Sequence, residues 1–192
     1  MDAQSTLNRQ ILCNELDFFA QKHPEQKLTA DTIKSFIGGT EACFERSNGA
    51  GHITGSAWLV NPGGDKALLT LHHKLKRWMQ TGGHADGDSD VLRVALREAE
   101  EESGISGIRP LMREIFDIDI HPIPANPHKG EGAHYHYDIR YLLQAPHEQF
   151  SISHESDDLA WWSQQDFQQR SSELDEAALR MASRYFGTDW VI

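Results

Sequence analysis

Gly82-Gly83-His84, followed thirteen residues on by Arg97-Glu98-Ala99-Glu100-Glu101-Glu102-Ser103-Gly104-Ile105, is the stretch whose reading decides the fold. Glu98, Glu101 and Glu102 stand at i, i+3 and i+4, the spacing that places side chains on one helix face. Reading backwards by threes and fours, the same stripe continues through Ala95, Val94 and Val91. An ordinary amphipathic helix buries such a stripe and keeps it apolar throughout. Here it begins apolar and ends in three carboxylates, so the glutamates point where the core should be. Like charges at i and i+4 repel, and burying them unpaired is costly. A hard divalent cation such as Mg²⁺ resolves the conflict, because it takes carboxylate oxygens and keeps positions open for water and phosphate. The bland alternative is a solvated glutamate-rich helix, and the inward phase and flanking glycines argue against it.

The segment 83–105 resembles the signature box of the Nudix hydrolases: Gly, five residues, Glu, seven residues, then Arg-Glu-hydrophobic-any-Glu-Glu-any-Gly-hydrophobic. Gly83 matches the opening, and Arg97, Glu98, Ala99, Glu101, Glu102, Gly104 and Ile105 match the closing half. The first Glu of the pattern falls on Ser89, between Asp88 and Asp90. The resemblance implies hydrolysis of a diphosphate linked to another group, with Mg²⁺ or Mn²⁺ held by Glu98, Glu101 and Glu102. Such a cation draws charge off the phosphoryl oxygens and makes water a nucleophile near neutral pH. One of these glutamates, or a carboxylate from a later loop such as Glu131, would be the general base. Arg97 would hold a glutamate in place through its planar donor fork. Gly82, Gly83 and His84 would line the substrate side, since glycines permit close backbone approach. Ser89 leaves a second reading open, a noncatalytic module that binds a nucleotide or metabolite.

The chain has 192 residues, 39% of them hydrophobic and 24% charged, which suits one globular domain with a small appendage. Its net charge of −11 argues against nucleic-acid partners, since no basic stripe offsets it. No apolar run is long enough to span a membrane, and no basic-then-apolar segment opens the chain, so a cytoplasmic protein is expected by default. Cys13 and Cys43 are too few for a disulfide framework and read as buried thiols.

Residues 1–48 read as a helical extension to a hydrolase domain at 49–192. Ile11, Leu12, Leu16, Phe18 and Phe19 lie near helix periodicity, and a second run, Thr32 to Ile37, closes at Gly38-Gly39. A homodimer contact and a lid are the two uses open to it. Strands are expected at 53–60 and 66–72 around the turn Asn61-Pro62-Gly63-Gly64-Asp65, then at 108–121, 133–144 and 157–163. The box helix should start near Asp88 or Ser89 and stop at Gly104, and a last helix should span 171–186. That order suits an α/β fold, a mixed sheet sandwiched between helices.

Histidine is unusually frequent, with eleven residues. His134, His136, Asp138 and Arg140 alternate with Tyr135, Tyr137, Ile139 and Tyr141, so one face of that strand is polar. Asp117, Asp119 and His121 form the polar face of the preceding strand. If those faces meet, His121, His134 and His136 converge, and with His84 they are candidate ligands for a second metal. The expectation set against this is a solvated strand face, or imidazoles that touch phosphate. Gly83-His84 also resembles the isopentenyl diphosphate isomerases, which use a histidine there to bind a divalent metal. Those enzymes carry a catalytic Cys just before it, where this chain has Gly82, so isomerase chemistry lacks its acid. Trp78 is a candidate for stacking on a substrate base or for the core, and at least one of Trp161 and Trp162 belongs to the core.

Overall fold

The chain opens with α1 (Ala3–Lys22) and α2 (Lys27–Gly39), joined by a 3-10 turn at Pro24–Gln26. Each buries one helical stripe: Leu12, Leu16 and Phe19 from α1, Ala30, Ile33 and Ile37 from α2. Four strands follow, β1 (Gly51–Val60), β2 (Lys66–His72), β3 (Trp78–Met79) and β4 (Thr81–His84). The box helix is α3 (Val91–Ser103), and after it come β5 (Arg109–Ile123), β6 (His134–Gln144) and β7 (Ser156–Ser163). Two more helices, α4 (Gln164–Gln169) and α5 (Glu176–Phe186), complete the order. The computed structural model describes residues 3–73, 76–127, 130–152 and 156–187.

The strands hydrogen-bond in the order β3-β2-β1-β6-β5, with β4 added to β1 and β7 to β2. The fold is α/β, a mixed sheet with helices, and the chain divides into two compact units that each take part of β1, β4, α3, β5 and β6.

The first unit comprises Met1–Gly55, Gly83–Ala95 and Arg113–Tyr141. Helices α1 and α2 are built into it. Gln26 Nε2 donates to the Ile118 carbonyl over 2.9 Å, and Phe36 stacks on Tyr137 with ring centroids 3.9 Å apart. Asn8 Nδ2 donates to the Ser89 hydroxyl over 3.0 Å. At its centre lies an ionic cluster. Arg140, 1% exposed, donates to Asp138 (2.7 Å), Asp117 (2.8 Å) and Asp119 (3.2 Å), and Thr54 donates to the other Asp138 oxygen. The polar face of β6 therefore turns inward where solvent was expected, and it does so because β5 supplies the matching carboxylates.

The second unit comprises Ser56–Gly82, Leu96–Met112 and Leu142–Ile192. Here β2 pairs antiparallel with β1 (Leu59 opposite Leu68) and with β7 (Leu68 opposite Trp161). Its core gathers Trp58, Trp162 and Phe167, with ring centroids 5.5–5.6 Å apart along the contacts to Phe167. Trp78, 6% exposed, packs 5.4 Å from Trp162, and the Arg170 guanidinium lies 4.1 Å over the Trp162 ring. Trp78 is thus a core residue.

The last helix differs from its expected span. Ser163 and Asp166 form a reciprocal capping box that starts α4, and a 3-10 turn and the cap Asp175 intervene before α5. The second helix begins at Lys27, five residues before Thr32, where Pro24 opens the preceding turn.

Candidate functional site

Helix α3 begins two or three residues later than expected, because Asp90 is its cap. Asp90 Oδ1 accepts from the Arg93 amide, and Asp88 accepts from the Asp90 amide and holds the Arg93 guanidinium through two bonds of 2.6–2.7 Å. Ser89 is buried and engaged by Asn8. At the other end Gly104 takes a left-handed φ of 68°, its amide bonds to the Glu100 carbonyl, and a Cβ there would sit 2.0 Å from Ser151 Oγ.

Between these ends the helix buries Val91, Val94, Ala95, Ala99 and Ser103. Glu98 and Glu102 continue that stripe: the Glu98 side chain is 16% exposed, and Glu102 is half-buried. Glu102 Oε1 accepts from the Gly82 amide over 2.8 Å, which fixes the carboxylate against the glycine pair. A Cβ on Gly82 would lie 2.1 Å from Ser56 Oγ and 2.7 Å from Ser56 Cα, so the approach requires glycine. Glu101 departs from the stripe with a side chain 64% exposed. Three residues of helix turn it about 60° back from Glu98, on the side away from Ala99. Arg97 lies between the two, donating to Glu98 over 2.7 Å, with Nε 4.0 Å from Glu101.

The histidines form a cluster in the first unit. Around His52 the rings of His84, His134 and His136 lie with centroids 5.0, 5.0 and 4.8 Å away, and His84 and His136 are 5.1 Å apart. His121 and His134 flank His136 at 5.4 and 5.3 Å. His52, the member that sequence reasoning missed, is 1% exposed. Burial, then the neighbouring His84 and His134, pulls its pKa down to about 4. Burial, then His84 and His52, takes His136 to about 3. His84 is lowered too, by burial and then by the Arg46 guanidinium. These rings are therefore neutral at physiological pH and keep a lone pair each. Arg46 lies 3.9 Å from Asp86 and 3.7 Å from Glu131, so Glu131 is in an ion pair. Elsewhere, His73 Nδ1 lies 2.5 Å from Asp157, which also accepts from Lys76.

No protein-family model matches the chain. It is 30% identical over 89 residues to a probable DHNTP pyrophosphohydrolase of Lactococcus lactis subsp. cremoris (strain MG1363), covering 46% of this chain and 52% of that protein. The chain thus spans about half the length of this curated relative. Among solved structures it is similar to a MutT Nudix hydrolase from Burkholderia pseudomallei (TM-score 0.52, 21% identity, covering 70% of this chain and 97% of that one). It is also similar to a MutT protein from Methanosarcina mazei Go1 (TM-score 0.52, 17% identity, 72% and 95% covered). A third likeness is to the E. coli dihydroneopterin triphosphate pyrophosphohydrolase (TM-score 0.50, 13% identity, 69% and 92% covered). The fold is the Nudix fold.

Proposed function

We propose that this chain is a Nudix-type pyrophosphohydrolase, dependent on Mg²⁺ or Mn²⁺, that cleaves a phosphoanhydride in a nucleoside diphosphate derivative or a similar pyrophosphate compound. The observation that carries this reading is the pair Glu98 and Glu102. They stand one turn apart on the inward stripe of α3, and the second is held by the Gly82 amide. The donor set fits a hard cation, since all three box glutamates offer carboxylate oxygens and Glu101 has the freedom to swing inward. Glu98, Glu101 and Glu102 would hold the ion, which when bound supplies Lewis-acid polarisation of the phosphoryl group. Arg97 orients Glu98, and the Gly82 amide orients Glu102. Ser89, in the place of the first box glutamate, serves to tie α1 to the start of α3.

The same reading takes a small phosphate-containing molecule as partner, without nucleic acid or membrane, in the cytoplasm. Among the described residues no helix is long and apolar enough to cross a membrane. Residues 1–48 are read as an extension of a hydrolase domain at 49–192, and the exposed Leu7, Ile11 and Phe18 of α1 support a homodimer contact through it.

A panel of nucleoside triphosphates, nucleotide sugars, dinucleoside polyphosphates, coenzymes and dihydroneopterin triphosphate, assayed for phosphate or pyrophosphate release with Mg²⁺, tests the activity. Turnover of at least one compound that stops on chelation is the expected result. Saturable binding of a compound without turnover of any would favour the noncatalytic binding module instead.

A further inference from the structure

We propose that His52, His84 and His136 form a metal site built from imidazoles alone, which takes a borderline first-row divalent cation of the Zn²⁺ class. One ligand atom from each lies within 4.8 Å of those of the other two. No other group of three His, Cys, Asp or Glu side chains among the described residues meets that description. Zn–N bonds of about 2.1 Å in a tetrahedral shell put ligand nitrogens about 3.4 Å apart, so the three rings would close in on a bound ion from their present spacing of up to 4.8 Å.

A second observation points to a ligand independently of the clustering. The buried His136 Nε2 has no hydrogen-bond partner among the described residues, and the two buried ring nitrogens of His52 have between them only the Asn48 backbone carbonyl as a neighbour that can accept. Buried polar atoms in folded proteins are nearly always satisfied, and each orphan carries a desolvation cost. Neither His52 nor His136 gains a full set of partners from the protein. A cation that accepts their lone pairs supplies the missing partner.

The surroundings suit such a site. His134 Nδ1 lies 2.9 Å from the Gly132 carbonyl, which can only accept, so Nδ1 carries a proton. Backbone carbonyls and carboxylates on the far nitrogen are the partners that orient imidazoles at metal centres. Three neutral nitrogens with no thiolate select Zn²⁺ and its transition-metal neighbours over Mg²⁺, and leave coordination positions for water or an anion. His52, which the sequence reading did not include among the candidate ligands, is buried in the middle of the group.

The test uses the full chain, stripped with a chelator, dialysed, and titrated with Zn²⁺ against a chromophoric competitor. One Zn²⁺ per chain should bind, undisplaced by a large excess of Mg²⁺. Co²⁺ in its place should give visible ligand-field bands without a thiolate charge-transfer band. His84→Ala and His136→Ala should each lower Zn²⁺ affinity by at least ~100-fold, while Glu102→Gln leaves it unchanged. Circular dichroism reports whether the variants fold. Should they not, ¹⁵N-imidazole spectra of the unaltered protein decide, with Zn²⁺ expected to shift ring nitrogens of His52, His84 and His136. The proposal is overturned by Zn²⁺ binding no tighter than millimolar, by affinity lost in Glu102→Gln but kept in folded histidine variants, or by spectral shifts confined to other histidines.

Discussion

Replacing Arg140 by Met removes a cation from a buried cluster while keeping much of its length and apolar stem. In the native chain burial opposes the charge, but Asp138, Asp117 and Asp119 outweigh it and push the Arg140 pKa up. All three carboxylates accept from the one guanidinium at 2.7–3.2 Å, and Asp117 and Asp138 are buried with it. Met leaves those two carboxylates buried without their cation. Breaking a buried pair by removing one partner costs about 3–5 kcal/mol. For a chain of this size each kcal/mol shifts the melting temperature by about 2–4 °C, so the expected loss is about 6–20 °C. Urea unfolding and calorimetry at pH 7 read the change directly. Arg140→Lys keeps the charge without the three-way fork and should fall between the two. Adding Asp117→Asn to Arg140→Met should recover part of the loss, since it removes one stranded charge. A loss below about 1 kcal/mol, or no recovery in the double variant, would refute the reasoning that this cluster locks β5 to β6.

Three further outcomes follow from particular contacts. Gly82→Ala should destabilise the fold by about 1–3 kcal/mol, and Ser56→Ala should not rescue it, because Ser56 Cβ and Cα also lie within 2.7 Å of the added methyl; unfolding curves of the single and double variants check this. Glu15 has its pKa raised above the ordinary 4.5, chiefly by burial, so its charged form penalises folding at neutral pH. The penalty is absent below pH 4.5 and grows as pH rises through the raised value, so Glu15→Gln should raise the melting temperature at pH 7 by an amount that shrinks to nothing in acid. Ser89→Ala should cost about 0.5–1.5 kcal/mol through the lost Asn8 bond and leave kcat unchanged; a loss of turnover as large as that of a box glutamate would reverse this ranking.

Much of the candidate site's geometry was legible because helix phase is a local property. Val91, Val94 and Ala95 are buried as the periodicity requires, and Glu98 and Glu102 follow them inward. Glu101 shares the spacing but not the burial, since the side of the stripe to which i+3 falls depends on what packs against the helix. The alternation of β6 was visible too, yet alternation alone does not say which face is wet. Asp117 and Asp119 on a distant segment decide that, by meeting Arg140. His52 was hidden for a related reason. Every residue of β1 is buried, so its periodicity carries no signal, and the rings His52 meets come from β4 and β6. The one available clue was a histidine opening a strand of otherwise small and apolar residues. Trp78 could not be assigned before the fold, because its partner Trp162 lies far along the chain.

Initial rates of the unaltered protein and of Glu102→Gln, measured with saturating Mg²⁺ on whichever pyrophosphate compound the panel selects, test the central claim most directly. The substitution removes one charge and keeps the shape and the Gly82 contact. The expected result is a fall in kcat of at least ~100-fold with an unchanged circular dichroism spectrum, and no turnover by either protein in excess chelator. Equal rates for the two proteins, or full turnover with the chelator present, would contradict the account.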